Sequence, residues 1–238
     1  MTRVVPSERP AIAMRVAAVT PQGVADIRSV RLEAATAERP EFGFIPGQFL
    51  HLRTPSGEAS YFAIASVPGD PYFEVLVKRA QGASKELFDL PVGATVHVVG
   101  PQGKGFPLEA HGGLDVLLIG VGTGIAPLRS VVGWTLKHRE RFGRLTLVYG
   151  VLTPPHWCYR ADFSAWRAAG VGTFVTVTST DGAAWDGPVG FVQELLTGCD
   201  IDPQRTVACL VGMKDMVREN TERLSKLGVP SHRILLNF

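Results

Sequence analysis

The chain has 238 residues, with 24 Lys+Arg against 22 Asp+Glu for a net charge of +2, and three cysteines. Hydrophobic residues at 45% and charged ones at 19% exclude a disordered chain, and the near balance of charge excludes a dedicated phosphate-backbone binder. Three scattered cysteines exclude a disulfide framework and point to a reducing compartment. The start carries Pro6 and Pro10 and no apolar core, so it does not read as a signal peptide. The longest apolar runs, Val116–Ile119 and Ile234–Leu236, fall far short of the roughly 20 residues that span a bilayer. The expectation is a cytoplasmic globular protein with no membrane insertion and no nucleic-acid partner.

In chain order, Ala11–Val19, Ile27–Leu32, Phe49–Leu52, Tyr61–Ala65, Phe73–Val77 and Thr95–Val99 read as six strands, with one helix-sized interruption at Ser84–Leu90. That pattern predicts a small antiparallel six-stranded β-barrel. Gly100–Gly113 is a loop by its Gly and Pro content and the candidate linker. Beyond it strands alternate with helices: Asp115–Ile119, helix Ala126–Arg139, Arg144–Tyr149, helix Ala161–Ala168, Thr173–Thr178, helix Val189–Thr197, Thr206–Val211, helix Lys214–Leu227 and a last strand Arg233–Asn237. Such alternation predicts a doubly wound parallel α/β domain. The expected two-domain α/β division is 8–105 for the barrel and 112–238 for the α/β part.

The first strand of the second half runs straight into Gly120-Val-Gly-Thr-Gly-Ile-Ala-Pro127. Gly120, Gly122 and Gly124 permit close backbone approach, Thr123 offers a hydroxyl, and the following helix presents unpaired N–H groups to an anion such as a pyrophosphate. Pro127 fits the first turn, where its missing N–H costs nothing. The competing reading is a tight turn required only for packing. Ile125 stands where the common G-x-G-x-x-G fingerprint needs glycine, and Lys104 is followed by Gly105 rather than the Ser or Thr of a Walker loop. In Ala59–Ser66, alternation places Tyr61, Ala63 and Ala65 on one strand face and Phe62, Ile64 and Ser66 on the other. Small residues beside aromatics suit a flat ring, although a half-buried barrel strand has the same composition. Lys78 and Arg79 precede Gly82 and Ser84, where Ser84 is placed to cap a helix whose N-terminus holds a phosphate.

Taken together these segments resemble the ferredoxin–NADP reductase-like superfamily over nearly the whole chain. Ile45-Pro-Gly-Gln-Phe49 is similar to the segment before the family's flavin strand, Tyr61–Ser66 occupies the flavin-strand place, and Gly82–Ser84 the phosphate segment. Val99-Gly-Pro-Gln-Gly103 resembles the turn closing the barrel, and Gly120–Pro127 the Gly-x-Gly-Thr-Gly-x-x-Pro motif. Tyr149-Gly150 corresponds to a strand end lining the pyridine nucleotide, and Gly212-Met213 to the Cys-Gly-Pro-x-x-Met segment. The resemblance implies a barrel holding FAD or FMN and an α/β domain holding NADH or NADPH. A hydride then passes to the flavin, and electrons leave to a separate acceptor protein or small molecule.

Departures from the family pattern qualify this. Ser60 and Ala63 replace the arginine and the hydroxyl of the Arg-x-Tyr-Ser/Thr strand, so Lys78 or Arg79 is left to face the flavin phosphate, with Phe62 and Ala63 at the reacting ring. Val211 precedes Gly212 where the family often has cysteine, and Cys209 reads as packing. Ser179 keeps the serine of the Ser-Arg pair of NADP-specific relatives, but Thr180 replaces the arginine and Asp181 repels a 2′-phosphate, which favours NADH. Trp185–Gly190 is similar to the family's Trp-x-Gly-x-x-Gly turn, and Phe238 is the candidate aromatic cover of the flavin. Neither the six histidines nor the three cysteines show ligand spacing, so no metal is expected. The alternative function is a non-catalytic nucleotide-binding or regulatory subunit that has lost tight flavin binding.

Overall fold

Two kinds of hydrophobic periodicity build two kinds of sheet in the computed structural model, which describes residues 10–35 and 43–237. In the first half the period is two. Strands β1 (Ile12–Gln22), β2 (Val24–Ala34), β3 (Phe49–Arg53), β4 (Ala59–Ala63), β5 (Phe73–Lys78) and β6 (Thr95–Gln102) pair antiparallel in the order β4-β3-β6-β1-β2-β5. An Ile64–Val75 bridge joins the two edges, which closes the barrel and leaves no long strand edge exposed. Met14, Leu32, Leu50, Leu52, Ile64 and Val75 fill it and are wholly inaccessible; each such aliphatic side chain contributes about 1.5–3 kcal/mol. Helix α1 (Ala83–Asp89) interrupts the strands and plugs one end with Leu87.

In the second half β7 (Asp115–Val121), β8 (Leu145–Val151), β9 (Gly172–Val177), β10 (Thr206–Val211) and β11 (Ile234–Leu236) run parallel in the order β11-β10-β7-β8-β9. Val116 and Leu118 face α2 (Ile125–Lys137) and α3 (Arg160–Ala168), while Leu117 and Ile119 face α4 (Val192–Leu195) and α5 (Lys214–Lys226). Both faces are covered, which is why β7 beyond Asp115 is continuously apolar instead of alternating.

The predicted linker is packed into the interface. β6 continues to Gln102, and Phe106 and Leu108 are buried in the cluster that also holds Ile27, Ala65 and Leu76 from the barrel and Ile125 from α2. Gly47 lies against the Phe106 ring, where a Cβ would stand under 3 Å from it at Cε2, 2.8 Å. The predicted helix over Val189–Thr197 is shorter. Val189 instead bridges Val177, and Gly190, at φ 144, turns the chain before α4 begins at Val192.

Candidate functional site

β7, β8 and β9 follow one another outward, and the chain then crosses back to lay β10 on the other side of β7. The crevice at this reversal lies beyond Gly120 and Val211, which are paired in register. Around it, glycines serve two purposes. A Cβ on Gly124 would stand 2.9 Å from the Val211 carbonyl oxygen, one on Gly150 2.6 Å from Val192, and one on Gly212 2.9 Å from Val121. Gly120 likewise makes room for Leu128. These four keep the strand ends and helices close. Gly122 differs: it holds φ +53 and has nothing within 4 Å of its Cβ position, so the backbone is open outward there, with Thr123 exposed beside it. Pro127 is buried in the first turn of α2.

Tyr149 does not line the crevice. Its side chain is fully buried, and its hydroxyl donates to the Gly122 carbonyl from beneath at 2.9 Å. Burial pushes the phenol well above its ordinary value, so it remains a donor. Met213 is 73% exposed at the start of α5, across the crevice. Beyond β9, Ser179 is exposed; its N–H donates to Leu152 and its hydroxyl accepts the Asp181 N–H, with Asp181 in the left-handed region at φ 47. The Trp185 turn is closed by its indole N–H on Pro188 and by Gly187 packed against the ring. Cys209 is fully buried on the α2 side of β10.

On the barrel, β3 and β4 pair His51 with Tyr61 and Leu50 with Phe62. Phe62 and Ile64 turn inward to the barrel core, so a flat ligand on this strand meets their backbone and not their side chains. Tyr61 is 62% exposed, its ring edge-on to Phe49 at 5.3 Å and 4.8 Å from His51. Arg53 emerges on the same face as Phe49 and His51, opposite Ala59, and Ala63 is half-buried opposite Phe49. The strand ends at Ala63, and Ala65 is buried instead of continuing the outer face.

Beyond the end of β5, Arg79 forks onto Asp89 of α1 at 2.9 and 3.0 Å, and is thereby committed. Lys78 is exposed and makes no ion pair among the described residues. Ser84 does not cap α1. The helix starts one residue earlier than expected, so Gly82, at φ 56, occupies the cap without a side-chain bond and Ser84 falls inside the first turn. Phe238 lies outside the described residues; the neighbouring Asn237 donates to the Gly47 carbonyl at 3.2 Å and brings β11 onto the barrel.

Sequence reasoning missed Phe49, His51, Arg53 and Arg129. Alternation along Phe49–Arg53 carries the signal for the first three. Arg129 is one charge on an amphipathic helix, and its partners are remote in sequence.

The open Gly122–Thr123 backbone fits a pyrophosphate. The exposed Tyr61 ring, flanked by the Phe49 and His51 rings with Arg53 on the same face of β3, fits a flat heterocycle carrying phosphate. Fold and site together suit a two-domain protein with room for a dinucleotide on the parallel sheet and a flat ligand on the barrel. A family profile described as "Oxidoreductase NAD-binding domain" matches residues 118–221. Ferredoxin–NADP reductase B of Sorangium cellulosum is 32% identical over 224 residues, covering 87% of this chain and 89% of that protein. Sulfhydrogenase 1 subunit gamma of Pyrococcus furiosus is 28% identical over 198 residues, covering 82% and 68%. The ferredoxin reductase in carbazole 1,9a-dioxygenase superposes with a TM-score of 0.83 at 24% identity, over 98% of this chain and 70% of that one. The chain belongs to the ferredoxin–NADP reductase-like family of NAD(P)H-dependent, FAD-binding oxidoreductases. Among the described residues no helix is long and apolar enough to cross a membrane.

Proposed function

We propose that this chain takes electrons from NADH onto FAD held against Tyr61 and delivers them to a separate acceptor protein. The observation that carries the reading is the placement of two open surfaces along one seam. The Gly122–Gly124 turn contacts β5, the strand that closes the barrel beside the Tyr61 strand. When bound, FAD supplies hydride acceptance from the dihydronicotinamide and onward electron release.

The chain's own residues bind and orient. Gly122 and the first N–H groups of α2 receive the pyrophosphate, Thr123 adds a hydroxyl, and Tyr149 holds the Gly122 carbonyl turned away from it. Tyr61, Phe49 and His51 present a flat face, with Phe62 and Ile64 anchoring that strand from within. Lys78 and Arg53 supply the positive charge that Ser60 lacks. Asp181, on an exposed turn after β9, supports NADH over NADPH by repelling a 2′-phosphate. The delivery of electrons to another protein draws support from the similarity to a sulfhydrogenase subunit and a ferredoxin–NADP reductase.

The test is anaerobic addition of NADH or NADPH to the FAD-loaded protein while following the visible flavin absorption. Bleaching is expected with both, with a KM for NADH about ten-fold lower. Thr123→Trp, which fills the exposed loop, is expected to abolish bleaching and leave FAD binding intact. Failure to bind FAD would replace this reading with that of a nucleotide-binding subunit, which Ser60 and Ala63, standing in place of the family's arginine and hydroxyl, favour.

A further inference from the structure

Arg129 lies one turn into α2, four residues past Ile125, and joins three elements. Its Nη1 donates to the carbonyl of Ala65 at 2.9 Å, two residues beyond the end of β4. Its Nε donates to Asp162 on α3 at 2.6 Å, and Glu74 on β5 lies 3.7 Å away. The guanidinium lies over the Tyr159 ring, 4.7 Å from its centroid. Glu74 is held in turn, because the Ala65 N–H donates to its carbonyl and its own N–H donates to the Ser66 hydroxyl. The side chain of Arg129 is 22% exposed and that of Glu74 9%.

Apolar packing alone does not fix this side of the interface. A cleft of about 580 Å³ opens beside the guanidinium, lined by Gln22, Glu74, Trp157, Tyr159, Arg160 and Asp162. Apolar contact is non-directional and tolerates sliding, whereas a planar fork with fixed donors does not. We propose that Arg129 is a positioning residue that sets the separation and register between the nucleotide loop at the head of α2 and the flavin strand β4. The inference rests on the functional reading above, since it concerns the approach of the two cofactors. Within that reading, Arg129 touches neither of them and acts through Ala65 and α2. A displacement of about 1 Å between reacting groups costs on the order of a hundred-fold in rate.

The experiment uses the FAD-loaded full chain with Arg129→Met, Arg129→Lys and Asp162→Asn. In Arg129→Met the rate of flavin bleaching at saturating NADH is expected to fall about ten- to a hundred-fold, with KM for NADH within about two-fold. Arg129→Lys, which keeps the charge but not the fork, is expected to recover part of the rate, and Asp162→Asn to lie between it and the parent. Amide hydrogen exchange, read without NADH, is expected to quicken at residues 63–67 and 122–129 in Arg129→Met and not elsewhere in the two sheets. An unchanged bleaching rate in Arg129→Met overturns the proposal. So does a rise in KM matching the fall in rate. Should Arg129→Met not fold, an undiminished rate in Asp162→Asn overturns it equally. If the parent itself is not bleached by NADH, the functional reading fails, and unchanged exchange in the two segments then overturns the clamp independently.

Discussion

The hydroxyl of Tyr149 lies fully inside the protein and gives its single proton to the Gly122 carbonyl. Tyr149→Phe keeps the ring against Phe163 and leaves a carbonyl in the crevice wall with one partner fewer. Such a loss costs about 1–3 kcal/mol. It is expected to lower the denaturation midpoint in urea and to raise the Kd for NADH several-fold, measured by fluorescence titration, while FAD affinity is unaltered. Because burial raises this phenol well above its ordinary value, the bond is retained through the neutral and mildly alkaline range. The sequence reading places Tyr149 at a strand end lining the nucleotide, whereas β8 runs on to Val151 and the side chain is buried; its neighbours Leu147 and Val151 show by alternation which sheet face it takes. That the hydroxyl meets Gly122 depends on the register that pairs Gly120 with Tyr149 across two parallel strands. No local pattern encodes that register.

Helix α1 has only seven residues, too few to stand without help, and it is held by side chains from elsewhere. Arg28 donates to the carbonyls of Leu87 and Leu90 at its C-terminal end. Glu86 accepts from the hydroxyl groups of Thr54 and Ser56. Hydrogen bonding from Arg79 above all, joined by Lys85, lowers the Asp89 carboxyl from 3.8 to about 2. A carboxylate depressed on folding stabilises fully above its unfolded pKa and loses that contribution as pH falls through the folded one. The α1 amides are therefore expected to keep their protection down to pH 3.8 and to lose it progressively towards about pH 2, read by amide exchange across an acid titration. Retained protection below that range would show that Asp89 does not hold the helix. At this scale the sequence was most legible. Thr206–Val211 coincides with β10, and Lys214–Leu227 with α5 to one residue, because a buried apolar run and a 3.6-residue period each specify one element. Val189 was misread because a valine beside Gly190 carries the same apolar signal whether it opens a helix or bridges a strand.

For the molecule as a whole, the barrel and the parallel sheet meet through glycines as well as through Arg129. Gly133 on α2 lies directly against Val67, and Gly23 in the β1–β2 turn against the Pro155 carbonyl, with no room for a side chain at either place. Gly133→Leu forces α2 from the barrel, and overpacking of this kind costs about 1–3 kcal/mol. The expected calorimetric outcome is the separation of one cooperative unfolding transition into two, with the barrel and the parallel sheet melting apart. A single transition at lower temperature would show instead that the halves stay coupled through Phe106 and its neighbours. The two sheets and their order along the chain were legible from composition and period. Their mutual contact was not, since Gly133, Val67 and Phe106 each satisfy local rules that have no bearing on the seam.

The three cysteine thiols have one further consequence. Burial pushes the Cys158 and Cys199 thiols up to about 11 and that of Cys209 higher still. Peroxides and electrophiles attack the thiolate, a form almost absent from all three at neutral pH. Alkylation by a thiolate-directed electrophile at neutral pH is therefore expected to be slow at all three cysteines, while the thioether of Met213, 73% exposed, stays open to oxidants that need no anion.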